Sequence, residues 1–187
     1  GPGLEASHLN DDRLGRALDS FYEAGVTPLF TMLSRRAFEA LGIKADRGHL
    51  DTTSLSVQGQ YNSEEEATAN LHITQGYSKD NRPDLPQVTL QLICEHMAGI
   101  PMHMEVLNGN SNDSESFRQC IQEFGGQLYS EEGLRTIVAD SKLYSEQTLE
   151  ALRDSRLNWI SRVPGTLQAV KELLQQIQPG DLTPLGQ

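Results

Sequence analysis

The apolar positions of this chain change their spacing several times, and each change predicts a different element. Near the start, Leu14, Leu18, Phe21 and Tyr22 recur at helical spacing. Asp11 or Asp12 can cap that helix and Gly25 closes it. Thr27 then caps a second helix with Pro28 in the first position, where a missing N–H costs nothing. Phe30, Leu33, Ala37 and Leu41 mark its apolar side, and Gly42 its end. These two helices predict a packing annex over residues 4–46.

From Leu50 to Val57 the period drops to two, with Asp51, Thr53, Leu55 and Val57 on one face. This predicts a strand carrying Asp51 at its start, on the apolar side. Asn62 to Thr68, with Glu64, Glu65 and Glu66, is polar and disorder-prone, and Leu71 and Ile73 suggest a short extended piece. Gly76 to Gln87 is a polar loop punctuated by Pro83 and Pro86. Val88, Leu90, Leu92 and Cys94 alternate, as do Met102, Met104 and Val106, around a turn at Ala98 and Gly99. That is a hairpin with both methionines in the core. Asn112 or Asp113 caps a helix with Phe117, Cys120, Ile121 and Phe124 inward and Gly125 as its stop.

Ile137 to Ala139 is a short continuous apolar run, the mark of a strand covered on both faces, and it ends in Asp140. Ser145 caps a helix through Leu149 and Leu152, and Trp159 to Val163 is a further strand. Thr166 caps a last helix that turns Leu167, Val170, Leu173, Leu174 and Ile177 inward, followed by a frayed tail from Pro179. The order predicts an α/β (mixed α+β) fold, a mixed sheet flanked by helices. Its core spans residues 47–164, and residues 165–187 form a helix and tail that open a following region.

Composition narrows the function. No apolar run reaches the ~20 residues of a membrane span, so no membrane partner is expected. A net charge of −11 has the wrong sign for a free-standing DNA-binding module. Any nucleic-acid role must lean on metal ions, local basic loops or other parts of a parent protein. Gly1-Pro2-Gly3 reads as a scar of tag removal, and the chain as trimmed from something longer. Cys94 and Cys120 lack metal-type spacing and read as small apolar side chains in a reducing cytoplasm.

The candidate chemistry lies in two acids at strand positions. Desolvating Asp51 and Asp140 is costly unless a cation compensates. Hard carboxylate oxygens on separate strands suit Mg²⁺ or Mn²⁺, which would activate a hydroxyl and stabilise a leaving oxygen in phosphodiester chemistry. Either acid alone is most simply a turn or cap residue. Lys79 and Arg82, in the Gly76–Gln87 loop, are the local candidates for phosphate contacts. His49 could donate to a phosphate, but reads as a partly exposed strand-edge residue; His96 and His103 read as surface residues flanking the hairpin turn.

At Leu50-Asp51-Thr52-Thr53-Ser54 the sequence resembles the DDE transposases of bacterial insertion sequences, whose catalytic domain has a ribonuclease-H-like fold. The loop from Gly76 through Lys79 and Arg82 to Leu85 is similar to the one that family places between first strand and hairpin. Ala98-Gly99-Ile100-Pro101 and Leu107-Asn108-Gly109-Asn110-Ser111 resemble its hairpin turn and the entry to its first core helix. Val138-Ala139-Asp140-Ser141 resembles the strand bearing the second acid, and Leu9 to Arg16 the segment before the core. The likeness runs in order over about residues 9 to 165.

The resemblance implies Asp51 and Asp140 as catalytic, metal-binding acids using Mg²⁺ or Mn²⁺. It further implies transposon-end and target DNA as partners of the full-length protein, a homo-oligomer on DNA, and a place at the bacterial nucleoid in the cytoplasm. The family's third acid is a glutamate within Tyr-x-x-Arg-x-x-x-Glu-x-x-x-x-x-x-Lys, a pattern that does not occur here. Glu172, on the last predicted helix, lacks the matching neighbours. The expectation is therefore a transposase fragment, inactive by itself. The alternatives are a non-catalytic interaction module on the same fold, favoured by a natural stop near Gln187, and a small standalone nuclease, which would need a further acid beside the first two.

Overall fold

The structure, a computed structural model, describes residues 3, 5, 8–59, 61, 71–79 and 81–178. The acidic run of Asn62 to Thr68 and the tail from Pro179 lie outside the described residues. Five strands make one sheet: β1 (Arg47–Ser56), β2 (Gln87–Glu95), β3 (Pro101–Leu107), β4 (Thr136–Ala139) and β5 (Asn158–Ser161). Their order is β3-β2-β1-β4-β5. The first three run antiparallel to their neighbours, whereas β4 is parallel to β1 and β5 to β4. Among the described residues, five α-helices accompany the sheet: α1 (Asp11–Ala24), α2 (Val26–Leu41), α3 (Asp113–Ser130), α4 (Glu146–Asp154) and α5 (Gln168–Gln176). This is the mixed, helix-flanked sheet that the sequence predicts.

Local chemistry explains the joints. The Glu95 carboxylate accepts the backbone N–H groups of Met97 and Ala98, which folds the β2–β3 turn. Parallel β4 and β5 need a crossover, and α4 supplies it, capped by Ser145 as expected. Asn112 caps α3 by accepting from Ser114 and Glu115, which leaves the Asp113 carboxylate free for longer-range contacts. The cap of α1 is Asn10, and α2 starts at Val26 rather than after Thr27. The Thr27 hydroxyl instead donates to the Met104 carbonyl at 2.9 Å, tying α2 to β3.

Leu50, Ile93, Phe117, Ile121, Ile137 and Leu152 form the centre of the core between α3, α4 and one face of the sheet. Each such side chain contributes roughly 1.5–3 kcal/mol by burial. The covered face of β1 carries Gly48, Leu50, Thr52 and Ser54, so Asp51, Thr53 and Leu55 point to the other, exposed face. This reverses the facing read from the sequence. Leu50 and Leu55 have opposite parity, and hydrogen bonds let Thr52 and Ser54 be buried where apolar residues were expected. β2 shows the same inversion: Gln87, Thr89, Gln91, Ile93 and Glu95 are buried, while Val88, Leu90, Leu92 and Cys94 are only half-buried.

Other departures share one cause, the absence of a covering partner among the described residues. α1 buries no residue, and its Leu18 and Tyr22 are exposed. α5 starts at Gln168 and likewise buries none of its apolar stripe, with Leu173 and Leu174 in solvent. In β4 only Ile137 is fully buried, so that strand is covered on one face. Met102 is core, whereas Met104 is half-buried and Val106 exposed. His103, expected at the surface, is 2% exposed, its ring 4.5 Å from that of Phe124.

Two close approaches require glycine. α3 runs on through Gly125 to Ser130, because Gly125 packs against Ser155 at the end of α4 rather than stopping the helix. Gly76 and Gly109 meet backbone to backbone, and a Cβ on Gly109 would overlap the carbonyl oxygens of Gln87 and Thr74. This contact clamps the loop after Leu71 onto the exit of β3, helped by Gly109 N–H to His72 O at 3.1 Å and Gln87 Nε2 to Gly109 O at 2.7 Å. Gly109→Ala is therefore expected to destabilise the chain by about 1–3 kcal/mol or more in urea unfolding. Gly126→Ala, at a helical position with open space around it, should instead add about 0.5–1 kcal/mol.

Candidate functional site

The site forms where β4 ends and β1 continues. The two strands pair in parallel from Arg47 opposite Thr136 to His49 opposite Val138. The same register carried two residues on sets Asp51 opposite Asp140. Asp140 keeps an extended backbone, with φ −71° and ψ −176°, before the chain enters the 3-10 turn Ser141–Leu143. Residues opposite one another in register share a face of the sheet. Thus the two sequence-predicted acids come to one edge, both exposed.

Each carboxylate is oriented by a backbone donor. The N–H of Thr52 donates to Asp51 Oδ1 at 2.7 Å, and that of Lys142 to Asp140 Oδ1 at 2.9 Å. The Ser161 hydroxyl donates to the Asp140 carbonyl at 2.7 Å, fixing the turn against β5. Both acids keep oxygens open to solvent, the side chain of Asp51 being 80% exposed. A pair of hard, exposed carboxylates fits a Mg²⁺-type ion, which binds through one or two carboxylates and keeps the rest of its shell for water and phosphate oxygens. Among the described residues, no group of three His, Cys, Asp or Glu side chains is gathered as a metal cage.

Among the described residues no strand pairs with β1 on the β4 side beyond His49, and Lys79 contacts β1 there at Thr52 and Ser54. Its backbone N–H donates to Ser54 Oγ at 3.0 Å, and its ammonium donates to the Thr52 carbonyl. The same ammonium is 3.2 Å from Thr52 Oγ1 and 3.5 Å from Asp51 Oδ1. Arg82 is not brought to the carboxylates. It grips Asp84 through two hydrogen bonds of 2.9 and 2.8 Å, which hold the Asp84 carboxyl below its usual range.

Two residues of this site were missed as functional in the sequence. Asp113 accepts from Thr52 Oγ1 at 2.9 Å and forms an ion pair with the Lys142 ammonium. With Lys79, Tyr77 and Ser54 these side chains line a polar cleft of about 130 Å³. The only signals were that Asp113 follows the helix cap and Lys142 follows the second acid by two residues. A larger cleft, about 470 Å³, lies between α2 and α3 beside His103 and Phe124, and none of the site's acids or lysines lines it. His49 is exposed, and its Nε2 is 2.7 Å from Nδ1 of His96.

Burial of Asp113 opposes ionisation, but the hydrogen bonds from Lys142 and Thr52 outweigh it and hold the carboxyl below its usual range. Lys142 is pushed up, first by its hydrogen bond to Asp113 and then by the charges of Asp113 and Asp140. A depressed acid contributes stability that is present above its unfolded value, ~3.9, and lost as pH falls through the folded one. A raised lysine contributes below ~10.4 and loses that contribution as pH rises through its folded value. Asp113→Asn should lower stability at neutral pH and flatten the loss of stability below pH ~4. Urea unfolding across that range checks this, and a profile superimposable on that of the unaltered chain would refute it.

The chain resembles known transposases on two levels. The Transposase DDE domain family matches residues 44–183, most of the chain, and a domain of unknown function matches residues 1–35. No curated protein matches the chain in sequence. Among solved structures, a piggyBac transposase synaptic complex with hairpin DNA is similar at 12% identity and a TM-score of 0.43, covering 73% of this chain and 27% of that one. A Mos1 transposase paired-end complex with a left transposon end is similar at 9% identity and a TM-score of 0.40, covering 75% and 42%. A Mos1 mariner paired-end complex with Mn is similar at 10% identity and a TM-score of 0.39, covering 73% and 41%. The chain thus spans less than half the length of these structures. No helix among the described residues is long and apolar enough to cross a membrane. By the family match over residues 44–183, the chain belongs to the Transposase DDE domain family.

Proposed function

We propose that Asp51 and Asp140 are two metal-binding acids of a polynucleotidyl-transfer site, and that the chain is part of a bacterial insertion-sequence transposase. The observation that supports this reading is the parallel pairing of β1 and β4, whose last recorded pair, His49 with Val138, lies two residues before each acid. The substrates are transposon ends and target DNA, acted on by a full-length homo-oligomer at the nucleoid in the cytoplasm. The annex of residues 4–46 would be a separate unit ahead of the catalytic core.

The chain's own groups divide the work. Asp51 and Asp140 would hold Mg²⁺ or Mn²⁺ through their open oxygens, while the N–H groups of Thr52 and Lys142 fix the carboxylate planes. When bound, the ion supplies Lewis-acid activation of a hydroxyl and stabilisation of a leaving oxygen. Lys79, at the mouth of the polar cleft, is the residue placed to meet a DNA phosphate; Arg82, bound to Asp84, is the weaker candidate. Because the glutamate pattern of the family's third acid does not occur within these 187 residues, this chain alone is proposed to be inactive.

Asp51→Ala and Asp140→Ala, each placed in the full-length protein, should lower Mg²⁺-dependent strand cleavage by roughly 10³-fold or more and leave end binding intact. Cleavage at the unaltered rate in either variant would overturn the assignment.

A further inference from the structure

We propose that Lys79 is a built-in counter-ion of the two-carboxylate site, occupying the charge position at Asp51 that a divalent ion takes on binding and moving away when the ion arrives. This rests on the reading of Asp51 and Asp140 as metal-binding acids, and assigns Lys79 the role of setting how tightly they bind.

A chain of contacts through Lys79 and Lys142 joins both acids. Lys79 links Asp51 to Thr52, Thr52 donates to Asp113, Asp113 pairs with the Lys142 ammonium, and the Lys142 N–H returns to Asp140. Three carboxylates and two ammoniums leave this cluster with one net negative charge. Carboxylates gathered at one edge repel each other unless cations lie among them. The two lysines fill that role in different ways. The Lys79 ammonium approaches a proposed metal ligand directly, at 3.5 Å from Asp51 Oδ1. The Lys142 ammonium is held by Asp113, off the acid whose carboxylate its own N–H orients.

A divalent ion at Asp51 therefore faces a positive charge that it must displace, whereas the Lys142 ammonium is held in its ion pair with Asp113. Once displaced, the Lys79 ammonium stays tethered by its backbone bond to Ser54 Oγ, at the lip of a cleft lined by Tyr77 and Asn112. There it faces solvent, where a phosphate oxygen is its natural replacement partner. Metal and phosphate would then each favour the other, as linkage requires.

The test is a titration of this chain with Mn²⁺, following the free-ion signal by electron paramagnetic resonance. Lys79→Gln keeps a donor for the Thr52 carbonyl and removes the charge; Lys79→Met removes both. Each should tighten Mn²⁺ binding about three- to tenfold, as expected for loss of a partly exposed opposing charge. Lys79→Arg should stay within about twofold of the unaltered chain. Unchanged or weaker binding in both neutral Lys79 variants overturns the counter-ion role. Binding that survives Asp51→Asn, or is absent from every variant, overturns the metal-site reading beneath it instead.

Discussion

A short parallel pairing between β1 and β4 governs the geometry of the proposed site. Only three residue pairs record it, from Arg47 with Thr136 to His49 with Val138. Each strand reaches that pairing by a different route: β1 as the edge of an antiparallel trio, β4 after α3 has crossed the sheet's covered face. Because side chains alternate strictly along a strand, a one-residue slip would turn one acid to the opposite face. Ile137, fully buried opposite Gly48, resists that slip, since it would move an apolar side chain out of the core. The core thus sets the site's geometry without containing any of it.

Covering one face only gives the sheet two characters. On the covered face, Thr52 donates to Asp113 and Gln87 Nε2 to the Gly109 carbonyl. The other face carries Asp51 among Thr53, Leu55 and half-buried Leu90 and Leu92, close to solvent. Exposure suits carboxylates that must exchange partners, since a charge already in contact with water has less desolvation to overcome. The lysine contacts at Asp51 and Asp113 keep those charges compensated without closing them in.

The element order, the hairpin and the helix caps at Ser145 and Asn112 were legible in the sequence, because each depends on a local signal. Facing was not. β1 offers Leu50 on one parity and Leu55 on the other, and only α3 decides which is covered. The burial of His103 depends on Phe124 of α3, and the continuation of α3 past Gly125 on Ser155 of α4; both are contacts between distant segments. The roles of Asp113 and Lys142 were hidden for the same reason, since their ion pair joins positions far apart in sequence. Arg82 looked equivalent to Lys79 by composition, but a neighbour two residues away, Asp84, claims it.

The claim that one cation is gripped by both acids is tested most directly by crystals of this chain soaked in Mn²⁺, with anomalous scattering used to place the ion. The account predicts a single strong peak within about 2.0–2.6 Å of a carboxylate oxygen from each of Asp51 and Asp140. A peak on only one of them, or on neither, would contradict it.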